Sequence, residues 1–243
     1  MLKAYRADLH IHTCLSPCAE LEMSPRGIVR TAREREIQIL GICDHNSAEN
    51  VPAIRDAARP YRISILAGME IASQEEVHVL GLFDSLDSAL AIQEIVYAHL
   101  PGENDEEAFG IQAVVNEEGE ILRFNEKLLI GATTLTLAKV VEIIHDHGGL
   151  AIAAHVDREG FSIIGQLGFI PGNLPLDALE VSPAITLEAA REKYSPRFPL
   201  TTASDAHRLD EIGRVSTSFW IAAGTVAEIR KALVQEDGRK IVH

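Results

Sequence analysis

The segment Asp8-Leu9-His10-Ile11-His12 carries the first residues able to do chemistry. In an extended strand, side chains two positions apart share a face about 7 Å from one another, so His10 and His12 can hold one ion between them. An isolated H-x-H also arises by chance, and the pair gains weight only from residues further along the chain. His45 comes after the apolar run Ile39–Cys43 and Asp44, and Glu70 comes after Ile65–Met69. His78 opens Val77–Gly81, His155 ends Leu150–Ala154, and Asp205 and His207 follow Pro199–Thr202. Six histidines, Glu70 and Asp205 exceed what one ion needs, so the set predicts two or three divalent ions. His145 and His147 have the same spacing as the first pair but stand at a helix end, where i and i+2 do not share a face. They are assigned no metal, and neither are His99 and His243, which lack supporting neighbours.

These residues need elements that bring them together. Strands are expected over Ile37–Cys43, Ile63–Ile71, Val77–Phe83, Leu150–Ala154, Ala178–Val181 and Leu200–Thr202. Helical segments lie between several of them. One opens at Ser24-Pro25 and runs toward Arg35; another runs from about Thr136 to His147 and stops at Gly148-Gly149. Asn46 and Ser47 read as the start of a further helix, with Ser47 as its cap, and Asp44 reads as a group that orients a ligand from behind. Buried strands separated by helices predict a mostly parallel α/β sheet or barrel, whose strand ends converge on one mouth. A hairpin, Ile111–Val115 and Ile121–Phe124, interrupts the alternation inside an insertion spanning roughly 84–133. The acidic stretch Glu103–Glu107 within it reads as solvated loop.

The chain has 243 residues, 47% of them hydrophobic, which suits one domain over 1–243. It shows no run of about 20 apolar residues, so a cytoplasmic protein without a membrane partner is expected. Three cysteines are too few for a disulfide scaffold. The net charge of −14 argues against a surface that tracks long nucleic acid and leaves a small phosphorylated molecule as the expected partner. There is no G-x-S-x-G elbow, P-loop or G-x-G-x-x-G to support a serine hydrolase, an NTPase or a dinucleotide enzyme.

Taken in order, Asp8-Leu-His-Ile-His12, Asp44-His45-Asn46, Gly68-Met-Glu70, His78, His155 and Ser204-Asp-Ala-His207 resemble the motifs of the polymerase and histidinol phosphatase (PHP) family of phosphoesterases. The resemblance covers residues 5 to 215 apart from the insertion. It implies a distorted (β/α)7 barrel holding up to three ions, zinc, manganese or iron. One ligand departs from the family pattern: the position expected to carry His or Asp falls on Pro17 or Cys18. A Cys18 thiolate would tilt that position toward zinc or iron. The alternative is a buried Cys18 with Glu20, Glu22 or water filling the gap.

The metal set expected is therefore His10, His12, Cys18, His45, Glu70, His78, His155, Asp205 and His207. Asp205, His207 and Arg158 are the expected catalytic groups, with hydroxide generated at the metals attacking a phosphate ester. Arg158, three residues after His155, is the first choice to grip phosphate, as the resemblance to the family's phosphate-binding arginine suggests, against the alternative of a pairing with Asp157 or Glu159. Arg26 and Arg208 are weaker substrate-binding candidates, and His207 is the candidate donor to the leaving oxygen. Two other readings stay open: exonuclease-like hydrolysis of short nucleic acid, and a binding module that keeps metals without turnover.

Overall fold

The computed structural model describes residues 1–194 and 198–242. Its strands are β1 (Lys3–Ile11), β2 (Ile39–Ile42), β3 (Ser64–Ala72), β4 (His78–Phe83), β5 (Ala113–Val115), β6 (Ile121–Phe124), β7 (Leu150–Ala153), β8 (Ala178–Val181), β9 (Leu200–Thr202), β10 (Thr217–Ile221) and β11 (Lys240–Val242). The helices are α1 (Pro25–Glu34), α2 (Val51–Ala58), α3 (Leu86–Ala98), α4 (Glu106–Phe109), α5 (Leu137–Asp146), α6 (Ile163–Leu167), α7 (Leu187–Tyr194) and α8 (Val226–Leu233). The two expected helices form where their caps demand: Ser24 Oγ accepts from Gly27 N, with Pro25 at the first helical position, and Thr136 Oγ1 accepts from Lys139 N. Ser47 is not a cap. The helix after it starts at Val51, and Ser47 Oγ instead meets Tyr97 Oη at 2.8 Å.

Among the described residues, nine strands form one curled sheet in the order β11-β10-β1-β2-β3-β4-β7-β8-β9, and the hairpin β5-β6 stands apart. This is the distorted barrel with an inserted hairpin. All neighbouring pairs from β1 to β9 are parallel except those of β4, which runs antiparallel to both β3 and β7. The reversal explains a detail of the sequence. His78 begins its strand, whereas the other histidines end theirs, and only a reversed strand brings its first residue to the same mouth.

Closure is partial. The first half of the outer edge of β1 pairs with β10, from Lys3↔Ile221 to Ala7↔Thr217. The second half meets the segment after β9: His12 N donates to Ala206 O at 3.0 Å, and Ala206 N donates to His10 O at 3.3 Å. The barrel thus shuts at the mouth and is wedged open by β10 at the other end.

The register of β1 against β2 shifts by one residue between Asp8 and Ile11. Plain alternation would put Leu9 and Ile11 on one face. With the extra residue, Leu9 packs in the cluster with Leu80, Ile152 and Phe219, Ile11 packs in the other cluster with Ile28 and Val29, and His10 and His12 both turn to the site. Gly41 lies opposite the shift, and a Cβ there would stand 2.2 Å from Leu9 O. Only glycine permits that approach.

Candidate metal centre

Six histidines and two carboxylates from separate elements meet at the mouth. His10, His12, Glu70, Asp205, His45, His78 and His155 are all buried, and His207 is partly so. Three triads of donor atoms suited to a cation overlap there: His10-His12-Asp205, His45-Glu70-His78 and His12-His45-His207.

The tautomers of the first pair are fixed by their outer contacts. His10 Nδ1 lies 3.0 Å from the Glu180 carboxylate, which can only accept, so Nδ1 carries the proton. Ser16 Oγ gives its hydrogen to Asp44 Oδ1 at 2.7 Å, so it must accept from His12 Nδ1 at 2.9 Å. The two Nε2 atoms face each other at 3.1 Å; against its burial, Glu180, Asp205 and Glu70 raise His10 well above the usual imidazole range, so a proton or a cation must lie between them. Asp205 Oδ1 joins them, 3.1 Å from His12 Nε2 and 3.3 Å from His10 Nε2. The Glu70 carboxylate approaches with both oxygens, Oε1 at 3.5 Å from His10 Nε2 and Oε2 at 3.4 Å from His12 Nε2. Nitrogen and oxygen donors at such separations repel one another unless a proton or a metal cation lies among them. Zinc–nitrogen bonds of about 2.0–2.1 Å in a tetrahedron put ligand atoms roughly 3.3–3.4 Å apart, and the set matches that spacing.

Glu70 links this group to the next. Its Oε1 lies 2.8 Å from His78 Nδ1 and 3.1 Å from His155 Nε2, and its Oε2 lies 3.0 Å from His45 Nδ1. Burial opposes charge on this carboxylate, but His78, His10 and His45 outweigh it and hold Glu70 well below the usual carboxylate range. Asp205 is held down in the same way, chiefly by His10 and His12 against its burial. Burial works against a charged His45 as well, yet Glu70 and Cys18 raise it to about 10. The donor set fits divalent cations: imidazoles whose protons a metal would displace, carboxylates held ionised, and no lysine among them.

Cys18 lines the mouth with His45 and His207 and hydrogen-bonds both. It is exposed, not buried, which corrects one form of the alternative reading. Glu20 does not replace it, since its carboxylate pairs with Arg208 at 3.2 Å, and Glu22 lines a different cavity. Arg158 points into the mouth and pairs with Asp205 Oδ2 at 2.5 Å. Its neighbour Asp157 is engaged elsewhere, accepting from Ser182 N and Oγ at 2.7 and 2.6 Å. The other two arginines are corrected. Arg26 pairs with Glu118 on the surface at 3.0 Å, and Arg208 turns outward to Glu20 and Asp210. Held by these carboxylates, neither guanidinium lines the mouth cavity. His145 and His147 bond Asp177 and Ile143 O and take no part, while His243 lies outside the described residues.

Several supporting residues escaped sequence reasoning. Glu180, buried in β8, orients His10 and accepts from His155 N at 3.2 Å. A carboxylate inside the apolar run Ala178–Val181 was the available signal. Asp8 ties β1 to the far end of the site: it accepts from Ser204 N, Ser204 Oγ and Gly213 N at 3.0, 2.6 and 2.7 Å. Burial outweighs those donors and pushes its pKa up to about 6. Ser16 joins Asp44 to His12, so Asp44 acts on a ligand from behind. Asn46 donates to Leu129 O and Gly131 O, both at 2.8 Å, and so brings the inserted segment to the rim, where Ile130 lines the cavity. His155 and Asp205 adopt positive φ, 30° and 49°, as strained backbones at functional sites do.

Comparison with known proteins agrees with this geometry. The PHP domain model matches residues 8–166, and a PHP-associated model matches 188–237. The chain belongs to the PHP family. Its fold is α/β and barrel-like, and it spans about two thirds or less of the length of the first relatives it matches. A curated relative, an uncharacterized protein of Bacillus subtilis, is 26% identical over 258 residues, covering 99% of this chain and 65% of its own length. A 5'-3' exoribonuclease of Haemophilus influenzae is 26% identical over 201 residues, covering 64% of this chain and 69% of that protein. Endonuclease Q of Pyrococcus furiosus superposes with TM-score 0.69 at 19% identity, over 98% of this chain and 58% of that one. An endonuclease Q complex with a 27-mer duplex carrying an abasic lesion at the active site gives 0.71, at the same identity and coverage.

These relatives overturn the expectation of a small phosphorylated partner and of long nucleic acid as an unsuitable one. That expectation came from a whole-chain charge of −14, and the sum misleads. It counts Asp8, Asp44, Glu70, Glu180 and Asp205, which are buried at or behind the site, where bound cations would offset their charge, and are no part of the outer surface. Among the described residues, no helix is long and apolar enough to cross a membrane.

Proposed function

We propose that the chain hydrolyses phosphodiester bonds in nucleic acid, taking one nucleotide at a time into the mouth. The observation that carries this reading is the meeting of imidazole and carboxylate donors from His10, His12, Asp205 and Glu70 beside the guanidinium of Arg158, with Glu70, Asp205 and Arg158 lining an open cavity of about 340 Å³. A cavity of that size suits a single nucleotide at a strand end, or one turned out of a duplex, better than a stacked helix. The relatives that act on RNA and DNA supply the substrate class.

His10, His12, Asp205 and Glu70 would hold one divalent ion, His45, His78 and His155 a second with Glu70 between them, and His207 with Cys18 a third of softer character. Such ions supply Lewis acidity toward a phosphoryl oxygen and acidify water near neutral pH. The remaining work falls to the chain. Arg158 is 43% exposed and uses one guanidinium nitrogen on Asp205, leaving other N–H groups to fix a phosphate oxygen. His207 Nδ1 donates to Asp205 O at 2.8 Å, which leaves Nε2 for one of two roles: ligand to the third ion or, with that position empty, donor of a proton to the leaving oxygen. Glu180 and Ser16 hold the two first imidazoles in the tautomer the site needs. The open cavity favours turnover over a closed binding module, and the three free cysteines suit the cytoplasm.

The test is hydrolysis of 5'-phosphorylated single-stranded RNA and DNA oligonucleotides by the zinc- or manganese-loaded chain, beside p-nitrophenyl phosphate. Arg158→Ala should lower kcat/KM on the oligonucleotides by about 10²–10³. Cleavage of the monoester alone refutes the nucleic-acid reading. Stoichiometric metal with no turnover on any of them would establish the binding module.

A further inference from the structure

Phe161 is a large apolar residue placed at a polar mouth. It lines the same cavity as Arg158 and the metal-binding residues, and it is the one Phe, Tyr or Trp among the described residues that does so. It is 48% exposed. One face of its ring stacks on His78, with centroids 4.8 Å apart and planes 18° from parallel. Its backbone has φ of 58°, a left-handed conformation that a bulky side chain rarely adopts.

The loop holds this posture from several directions. Phe161 O accepts from His78 N at 2.9 Å, which fixes it to the start of β4. Arg158 N donates to His155 O at 2.9 Å, and Ser162 Oγ donates to Arg158 O at 2.5 Å while accepting from Gly165 N at the start of α6. Two side chains three residues apart are thereby set on one short turn: a guanidinium over the carboxylates, and a ring with one face covered and the other open. Packing does not account for the ring, since a core residue would be buried and a plain surface residue would not be held at positive φ. Ile130 adds a second apolar side chain to the same cavity. Phe109, Phe124 and Phe169 are exposed too, but none lines this cavity.

We propose that the open face of Phe161 is a stacking platform for the nucleobase of the nucleotide whose phosphate Arg158 grips. The inference rests on the phosphodiester reading and sharpens it: the substrate end must carry an unstacked base, and sugar-phosphate alone is a poorer substrate. Aromatic stacking is sequence-tolerant because every base has a π face, so the platform selects for a base without selecting which one.

The experiment compares an oligonucleotide with a normal terminal nucleotide against the same strand ending in an abasic tetrahydrofuran unit. The metal-loaded wild type should prefer the base-bearing end by roughly 5- to 150-fold in kcat/KM, the range that stacking on an aromatic ring supplies. In Phe161→Ala that preference should collapse toward unity, and in Phe161→Trp it should persist. If Phe161→Ala slows both substrates by one common factor, the ring merely supports His78 and the proposal is overturned. An absence of preference in the wild type overturns it too. A binding arm covers the case in which neither strand is cleaved, an outcome that would count against the phosphodiester reading itself. The sole tryptophan, Trp220, lies on β10 beside Ala4, at the opposite end of β1 from His10. In metal-loaded Phe161→Trp with Trp220→Phe, adenosine 5'-monophosphate should quench the indole and ribose 5-phosphate should not. Equal response to both ligands, or none to either, refutes the platform.

Discussion

Removing the ions should lower the melting temperature, and the structure sets by how much and in which variants. Two cation groups share Glu70: one built on His10, His12 and Asp205, the other on His45 and His78. An ion present at 100 times its dissociation constant stabilises the folded state by about 2.7 kcal/mol if it binds only that state. Two such sites contribute about 5 kcal/mol. For a chain of 243 residues each kcal/mol moves the melting temperature by roughly 2–4 °C, so chelation should lower it by roughly 10–20 °C. The variants then divide. Asp205→Ala removes a ligand from the first group only and should retain about half of the metal-dependent shift. Glu70→Gln touches both groups and should lose most of it. The assay is differential scanning fluorimetry of chelated and reloaded protein, with metal content measured on the same samples. Equal melting of the two forms would refute the cation argument. Equal loss in Asp205→Ala and Glu70→Gln would refute the bridging role given to Glu70.

Glu180→Ala removes the acceptor that sets the His10 tautomer and should weaken metal affinity by about 10–100-fold, whereas Glu180→Gln, which keeps an acceptor oxygen, should lose less. Competition with a chromogenic chelator measures both, and identical affinities in wild type and Glu180→Ala would exclude the role. Cys18 offers a titration. Although the residue reaches solvent, protein packed around its sulfur pushes the thiol up, but hydrogen bonds from His207 and His45 prevail and bring it down to about 7. In metal-free protein, alkylation by iodoacetamide should therefore rise with pH through a midpoint near 7, and loading with metal should protect the residue. A midpoint near 9 would remove the basis for a reactive thiolate. Cobalt-loaded protein should also show a thiolate charge-transfer band that Cys18→Ser abolishes, and its absence in the wild type would take Cys18 out of the ligand set.

Most strands and the two capped helices were legible because they obey local rules: apolar runs of strand length, Ser24 and Thr136 at helix starts, glycines at one helix end. The hairpin at 113–124 was legible from its turn residues. The candidate ligands His10, His12, His45, Glu70, His78, His155, Asp205 and His207 could be picked out by their position at strand ends, and the structure brings them together. What the sequence hid is set by pairing between distant segments. The reversal of β4 depends on its neighbours β3 and β7, and β10 and the edge strand β11 that pairs with it have weak local signals. The register shift in β1 leaves no mark in Leu9 or His10 themselves; only Gly41, 31 residues after His10, records it. Ser47 illustrates the converse error, a good cap residue drawn into a side-chain contact with Tyr97 by tertiary packing. Arg26 and Arg208 show that nearness to a motif in sequence does not fix where a long side chain points.

The barrel that shuts only at its mouth also dictates an order of events. Asp205 and His207 reach His10 and His12 from about 195 residues away, across the single seam between Ile11 and Ala206. Closing so long a loop costs little more than closing one half its length, because the entropy grows only with the logarithm of the separation. Timing is a different matter. A chain emerging from the ribosome displays His10, His12, His45, Glu70, His78 and His155 well before the last two ligands exist, and these early groups can hold an ion only loosely. The complete coordination set, and with it hydrolytic competence, arises when the final third of the polypeptide folds back on the first strand. A chain in which the segment around Asp205 and His207 has not yet docked on β1 therefore lacks the assembled candidate site.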